Sequence, residues 1–477
     1  MDNIEYLESA ESNRHATPPS PFGAVPSRPF PLSARQHPAV AALLRKHPCF
    51  LSRLADGLGS PLHVLLPQVF AENVRCMREV FREHGLENQI LYAKKANKAD
   101  CFVHTAAQLG IGVDVASSGE FARTLAAGIP GDRIGVSGPE KDDALLTLSL
   151  QHRALIAIDT PGELERLAQL AYHNGTVASV LLRCRIASQS NSRFGLSPAE
   201  RNAAVDLCLS HRGAVQLEGF SFHLGGYATD ERARAANAMI DHCLDARSRG
   251  LTGCSQVNIG GGLPVQYVDP QQWADFLRRD ARDHYHAHKV FGGFYPYGAA
   301  RAGAQALHDI LQYRTNTGES LSARAKRHGI CFIAEPGRAL LDQAGFTLFR
   351  VQAVKDRHAA EGYAILSVQG SSLSLSEQWF NSEYLPDPVL LKPGQPAPEP
   401  FVACVAGSTC LESDMLTWRK IGFPRAVLPG DQLVYINTAG YQMDSNESPF
   451  HEARLPSKVV LDYREDEQQP QWRLDGI

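Results

Sequence analysis

The 477-residue sequence has no excess of basic residues, no long apolar run and no C-x-x-C pair. Lys and Arg number 47 against 51 Asp and Glu, a formal charge of −4. Proteins that bind nucleic acid or a membrane surface carry a cationic excess, so neither partner is expected, although one local cationic pocket is not excluded. The longest uncharged stretch, residues 250–268, holds Ser255, Gln256, Asn258 and a triple glycine, a composition wrong for lipid. The first residues, MDNIEYLESAES, are acidic and lack an apolar segment, so no secretory signal is expected. Ten cysteines are scattered from Cys49 to Cys410. Such a distribution without a signal is that of reduced thiols in a cytoplasmic protein. No P-loop, zinc ribbon or Ser-His-Asp pattern is present.

What is present is a globular composition, 44% hydrophobic and 21% charged, which excludes disorder throughout. At roughly 100–200 residues per domain the length allows about three domains. Residues 1–35 are rich in Pro and Ser without apolar period and read as a flexible arm. From residue 89 short apolar runs recur at 90–93, 112–116, 133–137, 154–158, 179–186, 218–223, 256–259 and 329–334, with helix signals between them. Ser117 and Glu120 form a capping box, and Gly128 ends that helix. Pro161 opens another helix. Eight strands each followed by a helix predict a (β/α)8 barrel over residues 67–343, with a doubly wound sheet as the alternative. Residues 263–328 are longer than one loop and helix need and read as an insertion. Residues 344–477 hold strand-like runs with few helix patterns, a C-terminal all-β domain that residues 36–66 are expected to join.

The distinctive residues fall at the C-terminal ends of the predicted strands, where barrel enzymes place their sites. They are Tyr92-Ala93-Lys94-Lys95-Ala96-Asn97, Asp114-Val115-Ala116-Ser117, His223-Leu224-Gly225-Gly226, Gly260-Gly261-Gly262 and Glu335-Pro336-Gly337-Arg338. Glycines let backbone N–H groups approach an anion, and an Arg at the next strand end offers paired donors to phosphate. A triple glycine alone is more readily a surface turn. With Arg338 one strand later it becomes a phosphate cradle after strands seven and eight. A lysine in the barrel mouth can form a Schiff base with a carbonyl cofactor. Lysine, carboxylate and phosphate site together suggest pyridoxal 5'-phosphate.

With these residues the sequence resembles the fold-type III pyridoxal-phosphate enzymes, in the ornithine/diaminopimelate/arginine decarboxylase group. The matching pieces are YAKKAN, DVASSGE, SRFG at 192–195, HLGG, NIGGG, AEPGR, the segment 410–414 and AGY at 439–441, in the family's order. The resemblance implies an alanine-racemase-like barrel, a C-terminal β-domain and a homodimer with interface active sites. It implies decarboxylation of an amino acid through a lysine aldimine and a quinonoid intermediate. Lys95 would carry the cofactor, with strand alternation turning Lys94 to the other face. His223 would stack on the ring and Glu335 would pair with the pyridine nitrogen. Gly260, Gly261, Gly262, Arg338 and Tyr441 would bind phosphate. Asp114 and Arg185 would orient charges near Lys95 or form a structural ion pair. Cys410 would protonate the substrate carbon, and Glu412 and Asp414 would bind substrate.

Three places depart from the family pattern. Leu411 follows Cys410 where an acid is usual, and Glu412 comes one residue later. Gly226 stands where HxGS has serine. The segment after Tyr441 also differs. The cofactor site therefore reads as intact and the distal substrate pocket as altered, which suggests a modified amino acid or one of secondary metabolism. A racemase and a non-catalytic relative are the alternatives. His284, His286 and His288 would put two imidazoles on one helix face, read as solvated and not as a metal site.

Overall fold

The structure, a computed structural model, describes residues 30–375, 377, 381–464 and 469–476. Most of the Pro/Ser-rich arm, residues 1–29, lies outside the described residues. The chain divides into two compact units. In chain order the strands are β1 (Leu62–Leu65), β2 (Asn88–Ala93), β3 (Gly112–Val115), β4 (Ile134–Val136), β5 (Leu155–Ile158), β6 (Ala178–Arg183), β7 (Val215–Ser221), β8 (Gln256–Asn258) and β9 (Cys331–Ala334). They continue with β10 (Gly345–Asp356), β11 (Ala364–Val368), β12 (Val389–Leu390), β13 (Phe401–Ala406), β14 (Met415–Phe423), β15 (Gln432–Ile436), β16 (Ser457–Asp462) and β17 (Gln471–Leu474).

One unit, residues 70–263 and 302–340, is the barrel. Strands β2 to β9 are all parallel and close, because β9 pairs with β2 through Phe332 and Asn88. Closure removes the doubly wound alternative, whose sheet would have two open edges. Leu91, Leu181 and Ile333 meet inside the barrel. Glycine makes room for them: a Cβ on Gly112 would come within 2.4 Å of Leu91 Cδ2, and one on Gly135 within 2.7 Å of Leu91 Cδ1. The helix signals act locally. Ser117 Oγ accepts from Glu120 N, and the helix Ser118–Ala126 ends before Gly128, whose φ is +91°. Thr160 caps the helix Pro161–His173 in the same way.

The other unit, made of the described residues within 30–69, 264–301 and 341–476, is built on a sheet. Its order is β14-β13-β11-β10-β1-β16-β17, with β15 pairing β10 and β12. Strand β1 precedes the barrel in sequence yet lies between β10 and β16. The 12-residue β10 bends at a bulge near Val351 and Ala353, so its first half pairs β1 and β15 and its second half β11. The insertion is divided: residues 264–301 group with the sheet and 302–340 with the barrel, so the boundary expected at 67–343 does not follow the compact units.

The His284–His288 run is not a helix. It forms two short 3-10 turns, Arg282–His284 and His286–His288. His284 packs on Phe30, His286 Nδ1 lies 2.8 Å from the Tyr363 hydroxyl, and His288 lies 3.0 Å from Asp283. Each imidazole thus has its own partner. Among the described residues no helix is long and apolar enough to cross a membrane.

Candidate active site

Within the barrel unit the strand ends bring Lys95, Asp114, His223, Glu335 and the 260–262 turn to one mouth. Strand β2 ends at Ala93, and Lys94 and Lys95 fall in a 3-10 turn, not in the strand that alternation assumed. Their separation still holds, because a three-residue turn rotates neighbours apart. Lys94 is buried, whereas the Lys95 side chain is 47% exposed with Nζ 3.9 Å from Asp114 Oδ2. Asp114, on β3, is buried, and its Oδ1 has no hydrogen-bond partner among the described residues.

Burial, and then the Glu335 carboxylate, push the Asp114 pKa up from 3.8 to about 8, with Lys95 opposing. The folded protein therefore holds this proton to a higher pH than the unfolded chain does. Stability contributed at low pH is lost as pH rises from about 4 toward about 8. Asp114→Asn removes that loss. The apoenzyme variant is expected to melt higher than wild type at pH 8, by roughly 2–4 °C per kcal/mol recovered, with the difference closing toward pH 4. Thermal melts across that range check it, and a pH-independent difference would contradict the assignment.

His223 follows β7 and is partly buried. Burial and the nearby Lys95, Arg183 and Arg232 cations hold its pKa well below the usual value, so its ring is neutral. Glu335 follows β9, and Asn258 Nδ2 at the end of β8 donates to its Oε1 at 2.6 Å. Asn258 Oδ1 also accepts from Gly260 N at 2.8 Å, so one amide fixes both the carboxylate and the start of the glycine turn. That turn has no room for side chains. A Cβ on Gly261 would meet Glu335 O at 2.5 Å, and Gly262, at φ +72°, would meet Arg232 Nη2 at 2.7 Å. Arg338 is buried just beyond β9.

Arg185 is not among the groups at the mouth. Its guanidinium lies 3.6 Å from Glu200 and donates to Ser190 O at 3.0 Å, a local loop contact. The reason is a strand boundary: β6 stops at Arg183, three residues before the run read from sequence. Arg183 takes the strand-end position instead. It lies 3.5 Å from Asp159, and its Cζ is 4.5 Å from the centre of the Phe194 ring. Asp159 also accepts from Gly195 N at 2.9 Å, which anchors the SRFG segment.

The other expected residues lie in the sheet unit. Tyr441 has φ +74°, rare for an aromatic residue and a mark of strain at functional positions. Cys410 is exposed, with Sγ 3.2 Å from His451 Nε2. Leu411, next to it, is 50% exposed, and Glu412 is exposed. Asp414 is not available to a substrate. It is buried, and its two oxygens accept from Ser372 N at 2.7 Å and Thr409 N at 3.0 Å. Its role is to close the loop before β14.

Sequence reasoning missed Asn258, Asp159, Arg183, Arg232 and His451. The first three stand at strand ends, where a tighter reading of strand length finds them. Arg232 and His451 carry no local signal.

The donor set fits pyridoxal phosphate on chemical grounds: an exposed amine beside a buried carboxylate, a neutral imidazole, a second carboxylate held by an amide, and a glycine turn with a buried arginine. A barrel of this kind bearing a mouth lysine and a phosphate cradle defines a class of cofactor-dependent enzymes. The family model described as "Pyridoxal-dependent decarboxylase, pyridoxal binding domain" matches residues 69–342. The chain belongs to this family, is a pyridoxal-phosphate-dependent amino-acid decarboxylase, and takes pyridoxal phosphate as its cofactor. It is 38% identical over 432 residues to the uncharacterized protein y4yA of Sinorhizobium fredii, covering 89% of this chain and 92% of that protein. It is 26% identical to diaminopimelate decarboxylase of Bacillus subtilis, covering 86% and 87%. The fold is shared with diaminopimelate decarboxylase from Helicobacter pylori complexed with L-lysine, at a TM-score of 0.67, 18% identity and coverage of 89% and 97%. Lysine/ornithine decarboxylase from Vibrio vulnificus complexed with putrescine gives a TM-score of 0.65 at 19% identity, covering 87% and 98%.

Proposed function

We propose that the protein removes the α-carboxylate from an amino acid whose distal end is not a free ammonium. The observation that carries this is at Cys410. The residue after it is Leu411, an exposed apolar side chain, and Asp414 is consumed inside its own loop. A distal ammonium brought there would meet Leu411 where the family pattern offers an acid, and would lose the charge partner that offsets its desolvation.

Pyridoxal phosphate, when bound, supplies an aldehyde that condenses with amines and a ring that accepts the electron pair left at Cα. Lys95 would provide the amine that holds the cofactor. Asp114, at 3.9 Å, orients that ammonium. His223, neutral, offers a ring face without adding charge. Glu335, steadied by Asn258, keeps a proton on the pyridine nitrogen. The 260–262 turn, Arg338 and Tyr441 hold the phosphate. Cys410, with His451 beside it, delivers the proton that takes the place of carbon dioxide at Cα. Glu412, exposed one residue beyond Leu411, would contact the substrate as an acceptor for a neutral N–H or O–H group. A homodimer with interface active sites, as the family resemblance implies, is the assembly this reading proposes.

Carbon dioxide release tests it, measured on diaminopimelate, ornithine, lysine, arginine and amino acids whose distal amine is acylated or replaced. The expected result is a kcat/KM at least about tenfold higher on a substrate without the distal ammonium, the value of one charge-assisted contact. Activity on diaminopimelate alone would overturn the substrate assignment.

A further inference from the structure

The barrel mouth holds a guanidinium that the roles above do not use. Arg232 sits in the first turns of the helix Thr229–Ser248 and is 1% exposed. Its Nη1 donates to Ile259 O at 2.7 Å, and its Nη2 to Gly226 O at 3.1 Å, Gly262 O at 3.3 Å and Leu224 O at 3.4 Å. These carbonyls belong to two separate turns, one after β7 and one after β8. A single side chain therefore ties both glycine-rich turns together. The place it occupies is the one a Cβ on Gly262 would crowd.

A carbonyl clamp alone does not need a buried charge. Arg247 makes the same kind of clamp on Cys254 O and His328 O but keeps contact with water. Arg232 has lost that contact, and among the described residues its hydrogen-bond acceptors are all neutral carbonyls. Burying a guanidinium without a bonded anion is costly. Burial lowers its pKa to about 10, with Tyr227 and Glu231 opposing. Lys95 and Arg183 each have a carboxylate beside them, Asp114 at 3.9 Å and Asp159 at 3.5 Å, whereas Arg232 is bonded to carbonyls. A guanidinium buried in this way is one whose charge a bound dianion can offset. Geometry agrees. In a trans peptide C=O and N–H point oppositely, so drawing the Gly226 and Gly262 carbonyls toward Arg232 turns the N–H groups of Tyr227 and Leu263 away from it. Backbone N–H groups aligned on the far side of a turn are the makings of an anion cradle.

We propose that Arg232 is a positioning residue for the cofactor phosphate: it locks the turns after β7 and β8 together and supplies the buried positive charge that the dianion offsets. It acts where Gly226 leaves no hydroxyl, through the Gly226 carbonyl itself. This rests on the assignment of the phosphate to the 260–262 turn, and the experiment separates the two.

The apoenzyme is titrated with pyridoxal phosphate and, in parallel, with pyridoxal, followed by absorbance, for wild type, Arg232→Gln and Arg232→Lys. Melting temperatures are also read with and without inorganic phosphate. Wild type is expected to bind the phosphorylated form more tightly and to be stabilised by phosphate. Arg232→Gln is expected to weaken pyridoxal phosphate by about 30-fold, within the range of a charge-assisted contact, and pyridoxal by less than about threefold, with no phosphate stabilisation. An equal loss for both ligands makes Arg232 merely structural and overturns the proposal, as does unchanged affinity for pyridoxal phosphate. If wild type itself shows no preference for the phosphorylated form, the phosphate assignment fails first. Should the glutamine variant not fold, the lysine variant decides. It keeps the charge but loses donors to the turns, and its preference ratio is expected to fall by about fivefold or more, an unchanged ratio overturning the proposal.

Discussion

Lys95→Ala is expected to abolish covalent attachment of the cofactor and to lower decarboxylation by at least about 10³-fold, the scale on which a nucleophile or acid-base group contributes. The absorbance band of the covalently attached cofactor should give way to that of the free aldehyde, since pyridoxal phosphate can still enter through its phosphate contacts. Lys94→Ala is the control. Lys94 is buried and Lys95 is the lysine at the Asp114 carboxylate, so the Lys94 variant should lose stability and keep the absorbance. Single-turnover assays and absorbance spectra check both. A Lys95→Ala enzyme within tenfold of wild type would remove Lys95 from the chemistry. An absorbance lost only on changing Lys94 would move the attachment to that residue.

Glu335→Gln is expected to lower kcat by about 10²–10³-fold with the cofactor still bound, because an amide does not stabilise a protonated pyridine nitrogen as a carboxylate does. The substitution has a second consequence. Glu335 is one cause of the raised Asp114 pKa, so its neutralisation should lower that pKa and move the pH dependence of apoenzyme stability toward acid. A barrel-rim salt bridge with no part in catalysis would change stability without the loss in kcat. Steady-state kinetics with cofactor saturation, read beside pH-dependent melts, tells the two apart. Asn258 belongs to the same unit, since its amide holds the Glu335 carboxylate at 2.6 Å.

The placement of the candidate residues was legible at strand ends and blurred where it depends on strand length. The barrel residues Lys95, Asp114, His223, Glu335 and Arg338 follow apolar runs whose ends are marked by Gly, Pro or charge, and those marks are local. Arg185 was misplaced because apolar Ile186 extends the run past Arg183, and a backbone that turns early puts a different arginine at the mouth. Asp414 was misplaced for another reason. A carboxylate four residues from a cysteine looks available in sequence, whereas the loop folds so that Ser372, distant in the chain, donates to it.

By itself the sequence determined the number of barrel strands, the helix caps between them and the types of residue at the mouth. These are set by apolar period, capping side chains and glycine, all of which act over a few residues. Only the tertiary structure decided that β1 crosses from before the barrel into the sheet beside β10 and β16. It alone decided that residues 264–301 belong with that sheet, and that Arg232 spans two turns far apart in sequence. Each of these is a pairing between distant segments, whose free energy comes from burial and hydrogen bonds that exist only once the chain has closed on itself. The near-neutral total charge is silent about the mouth for the same reason: charge counts add along the chain, while the field at a site depends on which charges the fold brings together.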